Sequence, residues 1–415
     1  MSNRSEDILE GFKVTELGSL PDEWDVVTLK QIGTLQDGDW ILRHDYSEDG
    51  VRLLQIADIG WGIFLDKSKR YISLERAKEL GCTFLEAGDI LLSRMGEPIG
   101  RACKLPILPY PTITAVDVTI FRTKSSVVDS NYVLFSLNSN IALGQAAQLA
   151  YGVTRNRITR RNLESILLPL PPLPEQKASA HVLSTIQKAI EKQDKIITAA
   201  RELKKSLMRH LFIYGPVPVA EAEQVPLKET EIGPVPEHWE VKLLLNTATL
   251  QRGKDLPKQN QIPGKYPIVG SSGVIGYHNT FVCDGPGVVT GRSGSIGNLA
   301  YVEDNYWPHN TGLYVKDFHG NEPKFIYYLL HLVDFHKYAT GVSVPTLNRN
   351  FVHSALVPIP PIKEQQQITD MLTSVDKKIE AEEKRKESLK ALFKTMLNQL
   401  MTGKVRVKEL EAMAA

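Results

Sequence analysis

Leu168-Pro-Leu-Pro-Pro-Leu-Pro-Glu-Gln176 recurs as Val357-Pro-Ile-Pro-Pro-Ile-Lys-Glu-Gln365, 189 positions further along the chain. Each string is an apolar, proline-interrupted run that ends in Glu-Gln, and each is followed by a stretch of helical periodicity. Proline disfavours the helical region in the residue before it, so Pro171-Pro172 and Pro360-Pro361 hold the chain extended. The glutamate then falls in a first helical turn, where the macrodipole favours a carboxylate. A lone proline-rich run reads equally well as a linker or a peptide ligand. Two equivalent runs before two similar helices favour a rigid elbow between a globular domain and a helix.

The duplication extends beyond the elbow, and internal repeats decide the fold reading. Lys13-Val-Thr-Glu-Leu-Gly-Ser-Leu-Pro-Asp-Glu-Trp24 matches Lys228-Glu-Thr-Glu-Ile-Gly-Pro-Val-Pro-Glu-His-Trp239 at an offset of 215, which persists through Gln36 and Gln251. Arg94-Met-Gly96-Glu-Pro-Ile-Gly100 resembles Arg292-Ser-Gly294-Ser-Ile-Gly297 at an offset of 198. Gly152-Val-Thr154 resembles Gly341-Val-Ser343 at an offset of 189. The first copy therefore carries about 26 extra residues (215 − 189) between its anchors. Kept anchors with varied connections suggest one scaffold with different loops, and loops are where recognition usually resides.

Short apolar runs bounded by Gly and Pro, such as Gly88-Asp-Ile-Leu-Leu-Ser, Ala115-Val-Asp-Val-Thr-Ile-Phe, Gly287-Val-Val-Thr and Gly312-Leu-Tyr-Val, are strand signals. Helical stretches are interleaved without regular alternation, which favours α+β over a doubly wound sheet. After each elbow the apolar period lengthens to three and four. Val182, Ile186, Ile196, Leu203 and Leu207 are expected to form a coiled-coil seam with Val375, Ile379, Leu389, Leu392 and Met396. The polar stretch Glu380–Glu387 is expected to be exposed or to face a partner. Each helix is read as about 35 residues, or roughly 50 Å. Antiparallel pairing would place one globular domain at each end, with a pseudo-twofold relation. The expected parts are residues 1–170, a helix over 171–215, residues 216–359 and a helix over 360–415.

A chain of 415 residues exceeds one ordinary core. The sequence has no apolar run long enough for a membrane span and no apolar leader at its start. Cys82, Cys103 and Cys283 are sparse and lack metal spacing, as expected of reduced thiols in the cytoplasm. No P-loop, dinucleotide fingerprint, zinc-protease motif or catalytic triad can be assigned. The chain is expected to be non-catalytic and to bind no metal or cofactor.

A formal net charge of +1 argues mildly against nucleic acid, though local patches outweigh totals. Thr154-Arg155-Asn-Arg157-Ile-Thr-Arg160-Arg161 sets four guanidinium groups beside hydroxyls and an amide. These groups suit phosphates and base edges. The second copy, Ser343-Val-Pro-Thr346-Leu-Asn348-Arg349, is less basic. Arg94 and Arg292 sit in equivalent glycine-flanked turns. Arg43, Lys67, Arg70, Arg252 and Lys254 are further basic loop residues.

Two variable domains, each followed by a helix behind a P-L-P-P-L-x-E-Q-type string, resemble the specificity subunit of type I restriction–modification systems. Leu168–Gln176 and Val357–Gln365 match the elbow. Trp24 and Trp239 match the start of each target-recognition domain, and Gly152-Val-Thr154 and Gly341-Val-Ser343 the closing loop. The resemblance implies that each domain reads one half of a split, asymmetric site in double-stranded DNA. Two conserved helical regions would set the spacing, about one duplex turn or on the order of 34 Å. It also implies two methyltransferase subunits that bind S-adenosylmethionine and a restriction or translocase subunit that uses ATP and Mg. A two-headed protein-binding scaffold without DNA specificity is the competing reading.

Overall fold

The structure, a computed structural model, describes residues 10–152, 156–341 and 345–407. The chain divides into two units, Met1–Asp194 with Lys384–Ala415, and Lys195–Glu383.

In the first unit a four-stranded antiparallel sheet runs, in spatial order, Gly33–Asp37, Val118–Thr123, Ile90–Ser93 and Ala102–Lys104. Successive side chains of a strand point to opposite faces. Ile90, Leu92 and Phe121 accordingly pack against Val133, Leu134 and Leu137 of the helix Ser130–Leu137, whereas Leu91 and Ile120 pack against Leu54 and Ile59. Burial on both faces explains why Ile90-Leu-Leu is continuously apolar instead of alternating. A second sheet contains Val51–Leu54 parallel to Thr112–Thr114.

The second unit repeats this plan. Thr249–Arg252, Gly312–Asp317, Gly287–Gly291 and Leu299–Val302 form a sheet in the same order, all antiparallel. Tyr266–Gly270 lies parallel to Trp307–Pro308 beside it. The first unit's additional residues supply the strands Tyr46–Ser47 and Tyr71–Ile72 and the helix Leu74–Glu79. The fold is therefore α+β with an internal repeat.

Each elbow is a two-stranded ladder followed by a side-chain lock. Leu167–Leu170 pairs with Asp25–Thr28, and Leu356–Ile359 with Glu240–Leu243. Proline is tolerated here because these ribbons have free edges. Glu175 Oε2 accepts the indole N–H of Trp24 at 3.2 Å, and Glu364 Oε2 accepts that of Trp239 at 2.9 Å. Gln176 Oε1 accepts the N–H of Asp129, and Gln365 Oε1 accepts that of Glu322, in both cases the residue that caps the domain's own helix. Their amide groups donate to the Pro171 and Pro360 carbonyls at 2.8 and 3.0 Å. The Glu-Gln pair thus ties the tryptophan and a helix cap of one domain to the first turn of a long helix. In the first unit Arg406 adds a second clamp, donating to Glu175 at 2.6 Å and to Glu23 at 3.0 Å.

The long helices are Leu173–Tyr214 and Ile362–Met401, of 42 and 40 residues. At about 1.5 Å per residue they measure roughly 60 Å, longer than the sequence suggested. Within each unit they run antiparallel. Leu183 shares a cluster with Leu397, Leu400 and Met401 in the first unit. Leu211 and Phe212 share one with Ile368 and Leu372 in the second. Lys204 pairs with Asp376 at 2.6 Å, and Arg201 with Glu383 at 2.5 Å, also within the second unit.

The seam differs from the expected one. The buried positions of the first helix are Glu175, Gln176, Ser179, Ala180, Leu183, Gln193, Ile197, Leu211 and Phe212. Buried Gln365, Ile368, Leu372, Glu382 and Leu400 lie 189 positions after five of these. Leu203 is 60% exposed and Leu392 46% exposed, so neither belongs to the seam. Apolar residues at three–four steps do not mark these positions, because Gln193 and Glu382 are polar yet buried. Val182, Ile186, Ile196, Leu207, Val375, Ile379, Leu389 and Met396 are half-buried. The stretch Glu380–Glu387 is mixed, because Glu382 within it is buried.

Candidate nucleic-acid interface

In the second unit the segment Thr346–Arg349 and two strand ends converge. Arg252 ends its strand opposite Leu313. Gly287–Gly291 delivers Arg292 into a turn that closes at Gly297, whose φ of +76° favours glycine. The Arg292 N–H donates to the Thr311 carbonyl at 2.9 Å, and its carbonyl accepts the N–H of Leu347 at 2.8 Å. That bond seats Thr346–Leu347 and the residues after it against the turn. Asn348 then caps the short helix Arg349–Val352, accepting the N–H of Asn350 at 3.0 Å. The result is a concavity of about 510 Å³ bordered by Arg252, Arg292 and Arg349, with Gln251, Thr340, Thr346 and Asn348 around it.

This concavity is strongly cationic. Arg252, Arg292 and Arg349 form no ion pair with a carboxylate among the described residues, and Arg292 is half-buried. Burial, and then the charge of Arg252, hold the Arg292 guanidinium below its usual range. His353, behind the concavity, is shifted down by burial and by Arg349, and its Nε2 accepts the Leu250 N–H at 2.9 Å.

At the equivalent place in the first unit the arginine is buried and ion-paired. Asp37 occupies the position of Arg252, one residue after the matched Gln36 and Gln251. Arg94, the counterpart of Arg292, is 7% exposed. It pairs with Asp37 at 3.0 Å and donates to the Ile158 and Val116 carbonyls at 3.0 and 3.2 Å. The Arg94 side chain thus ties the segment at Ile158 to the sheet through its own ion pair. Arg157 pairs with Asp117 at 3.1 Å and exchanges backbone bonds with Tyr151, and Arg160 pairs with Glu164 at 3.5 Å. Arg161 is exposed. Of the described arginines in the first copy's cluster, two are thus held in ion pairs and one is exposed.

Thr154, Arg155 and Ser343 lie outside the described residues. Arg43 and Lys67 are exposed on the first unit, and Arg70 there donates to the Tyr46 hydroxyl at 2.9 Å with its guanidinium 5.1 Å from the ring centre. Lys254 is exposed on the second unit but does not line the concavity. Sequence reasoning missed Gln251 and Thr340. It also missed the exposed aromatic residues Trp40, at 67%, and Tyr151, at 60%. Single aromatic residues in polar, glycine-flanked loops were the available signal.

A second concavity of the Lys195–Glu383 unit, about 740 Å³, has an apolar floor of Met208, Phe212, Ile213 and Val235 and a basic rim of Arg209 and Lys337. Among the described residues no group of three or more His, Cys, Asp or Glu is placed to hold a metal ion, and no helix is long and apolar enough to cross a membrane.

Residues 21–199 and 236–391 match a family model described as the type I restriction modification DNA specificity domain. The putative type I restriction enzyme MjaX specificity subunit of Methanocaldococcus jannaschii is 26% identical over 427 residues, covering 96% of this chain and 97% of that protein. The MjaVIII specificity subunit of the same organism is 30% identical over 213 residues, 51% of this chain and 50% of that one. Among solved structures, the type I restriction–modification S subunit from M. genitalium superposes with a TM-score of 0.58 at 17% identity, covering 91% of this chain and 96% of that one. A chain from a study of complex assembly and conformational transition in the type I R-M system superposes at 0.54 and 15% identity, covering 93% and 99%. These similarities extend to the doubled α+β plan.

Proposed function

The chain belongs to the family of type I restriction modification DNA specificity proteins, and from that premise we propose that it selects the DNA site for a methyltransferase complex without catalysing a reaction itself. Each globular domain reads one half of a split, asymmetric sequence in double-stranded DNA. The two long helices fix the spacing between half-sites and carry docking surfaces for two methyltransferase subunits, where S-adenosylmethionine binds. A restriction or translocase subunit using ATP and Mg joins the same assembly. The basic-rimmed, apolar-floored groove along Met208 and Phe212 is the kind of surface that a protein partner covers.

The observation that carries this reading is a repeated topology with altered chemistry at equivalent places. The same four-strand order recurs, yet Arg252 stands where the first copy has Asp37. Two heads of one design with different contact chemistry suit a site whose halves differ. Phosphate contacts position such a protein, whereas base contacts specify the sequence.

The test is selection from a random duplex pool by the chain reconstituted with its methyltransferase subunit. The expected outcome is one motif made of two unlike halves separated by a fixed gap. Recovery of unselected sequence, or no binding even at low salt, would overturn the proposal.

A further inference from the structure

We propose that the concavity bordered by Arg252, Arg292 and Arg349 is a phosphate site that takes one backbone phosphate of the DNA, and that the equivalent place in the first unit takes none. The inference rests on the DNA reading above and adds an asymmetry to it. Three arginines border one hollow of about 510 Å³, and among the described residues no carboxylate lines it or pairs with them. Clustered like charges are unfavourable unless an anion joins them. Guanidinium forks match phosphate oxygens in bidentate geometry. Thr340, Thr346 and Asn348 also border the hollow, which is large enough for a phosphate with part of its sugar.

The first unit supplies an internal comparison on the same scaffold. There Asp37 already provides the anion, 3.0 Å from Arg94, and Asp117 neutralises Arg157. An incoming phosphate would meet an arginine already buried and paired, and the negative charge of half-buried Asp37. The first unit must then hold its half-site by other surfaces. The second unit should carry a distinct share of the electrostatic affinity.

The experiment measures specific DNA affinity of the methyltransferase-bound complex against salt concentration, for the parent and for Arg349→Ala, Arg252→Ala and Arg292→Lys. Arg252 and Arg349 are exposed, so their variants are expected to fold, and thermal unfolding checks this. Each phosphate contact contributes about 0.9 to the logarithmic salt slope. Arg349→Ala or Arg252→Ala should lower the slope by up to about that amount and weaken binding roughly tenfold or more at low salt. Scanning a single neutral methylphosphonate along the duplex should reveal one position where the parent loses affinity and Arg349→Ala loses little more. That position should lie in the half-site read by the second unit.

Specific binding by the parent, with slopes and methylphosphonate profile unchanged in all three variants, would overturn this inference and leave the proposed function standing. Protection of the second unit by inorganic phosphate, lost in Arg349→Ala while the DNA slope stays constant, would assign the hollow to a free anion and overturn the DNA assignment. Absence of specific binding by the parent would instead overturn the function reading itself.

Discussion

Glu364→Ala should weaken the second elbow by an amount the structure lets one estimate. Trp239 is fully buried, and its indole N–H has Glu364 as acceptor at 2.9 Å. The other carboxylate oxygen meets His238 Nε2 at 2.7 Å. A hydrogen bond to a charged partner contributes about 1.5–3 kcal/mol, and a buried donor left without a partner costs a similar amount. The carboxylate also lies in the first turn of a helix, which adds about 0.3–1 kcal/mol. A double-mutant cycle with Trp239→Phe separates these effects, since the dipole contribution survives the loss of the indole N–H. The coupling between the two changes should be about 1.5–3 kcal/mol. For a unit of this size each kcal/mol moves Tm by about 2–4 °C, so the coupled part corresponds to roughly 3–12 °C in differential scanning calorimetry. Equal losses for Glu364→Ala with and without the indole N–H would refute the claim that the Glu-Gln pair locks the tryptophan.

Three further predictions concern the seam, the histidines and the thiols. Leu183→Ala, at a fully buried position, should lower stability by about 2–5 kcal/mol in urea unfolding, whereas Leu203→Ala, at 60% exposure, should stay within about 0.5 kcal/mol. His331 is held below its usual range by burial and then by Lys204, and His353 by burial and then by Arg349. Because the unfolded chain binds these protons more readily, their contribution is present above pH about 6.5 and is lost as pH falls through the lower folded values; urea midpoints at pH 7.5 and 5.5 should show that loss, reduced in a His331→Gln, His353→Gln variant. Burial pushes the Cys82 thiol up to about 11 and the Cys103 thiol up to about 12, so both should react slowly with a disulfide reagent at pH 8 and become fully titratable on unfolding.

What was legible in the sequence is what local chemistry writes down. The doubled elbow announces itself through prolines that cannot continue a helix, and the offsets of Trp24, Gln36 and Pro171 locate the repeat without any knowledge of contacts. The α+β class follows from strand signals interleaved with helical ones. The expected seam differs because polar Ser179, Gln193 and Glu382 are buried on the long helices, whereas hydrophobicity alone selects apolar residues such as Leu203, which is exposed. The burial of Arg94 is hidden from the sequence for another reason. Its partners Asp37, Val116 and Ile158 are distant in sequence, and only the sheet order brings them together. The second unit's hollow was partly visible as scattered arginines. Its unity depends on a turn, a strand end and a short helix meeting, which no spacing rule encodes.

The most direct test of the account is base-resolved sequencing of methylated DNA from cells with and without this chain, its methyltransferase partner being present in both. The expected result is one methylated motif with two unlike halves and a fixed gap, which disappears when the chain is removed and changes in one half only when the loops of one unit are exchanged. A methylation pattern that is the same with and without the chain would contradict it.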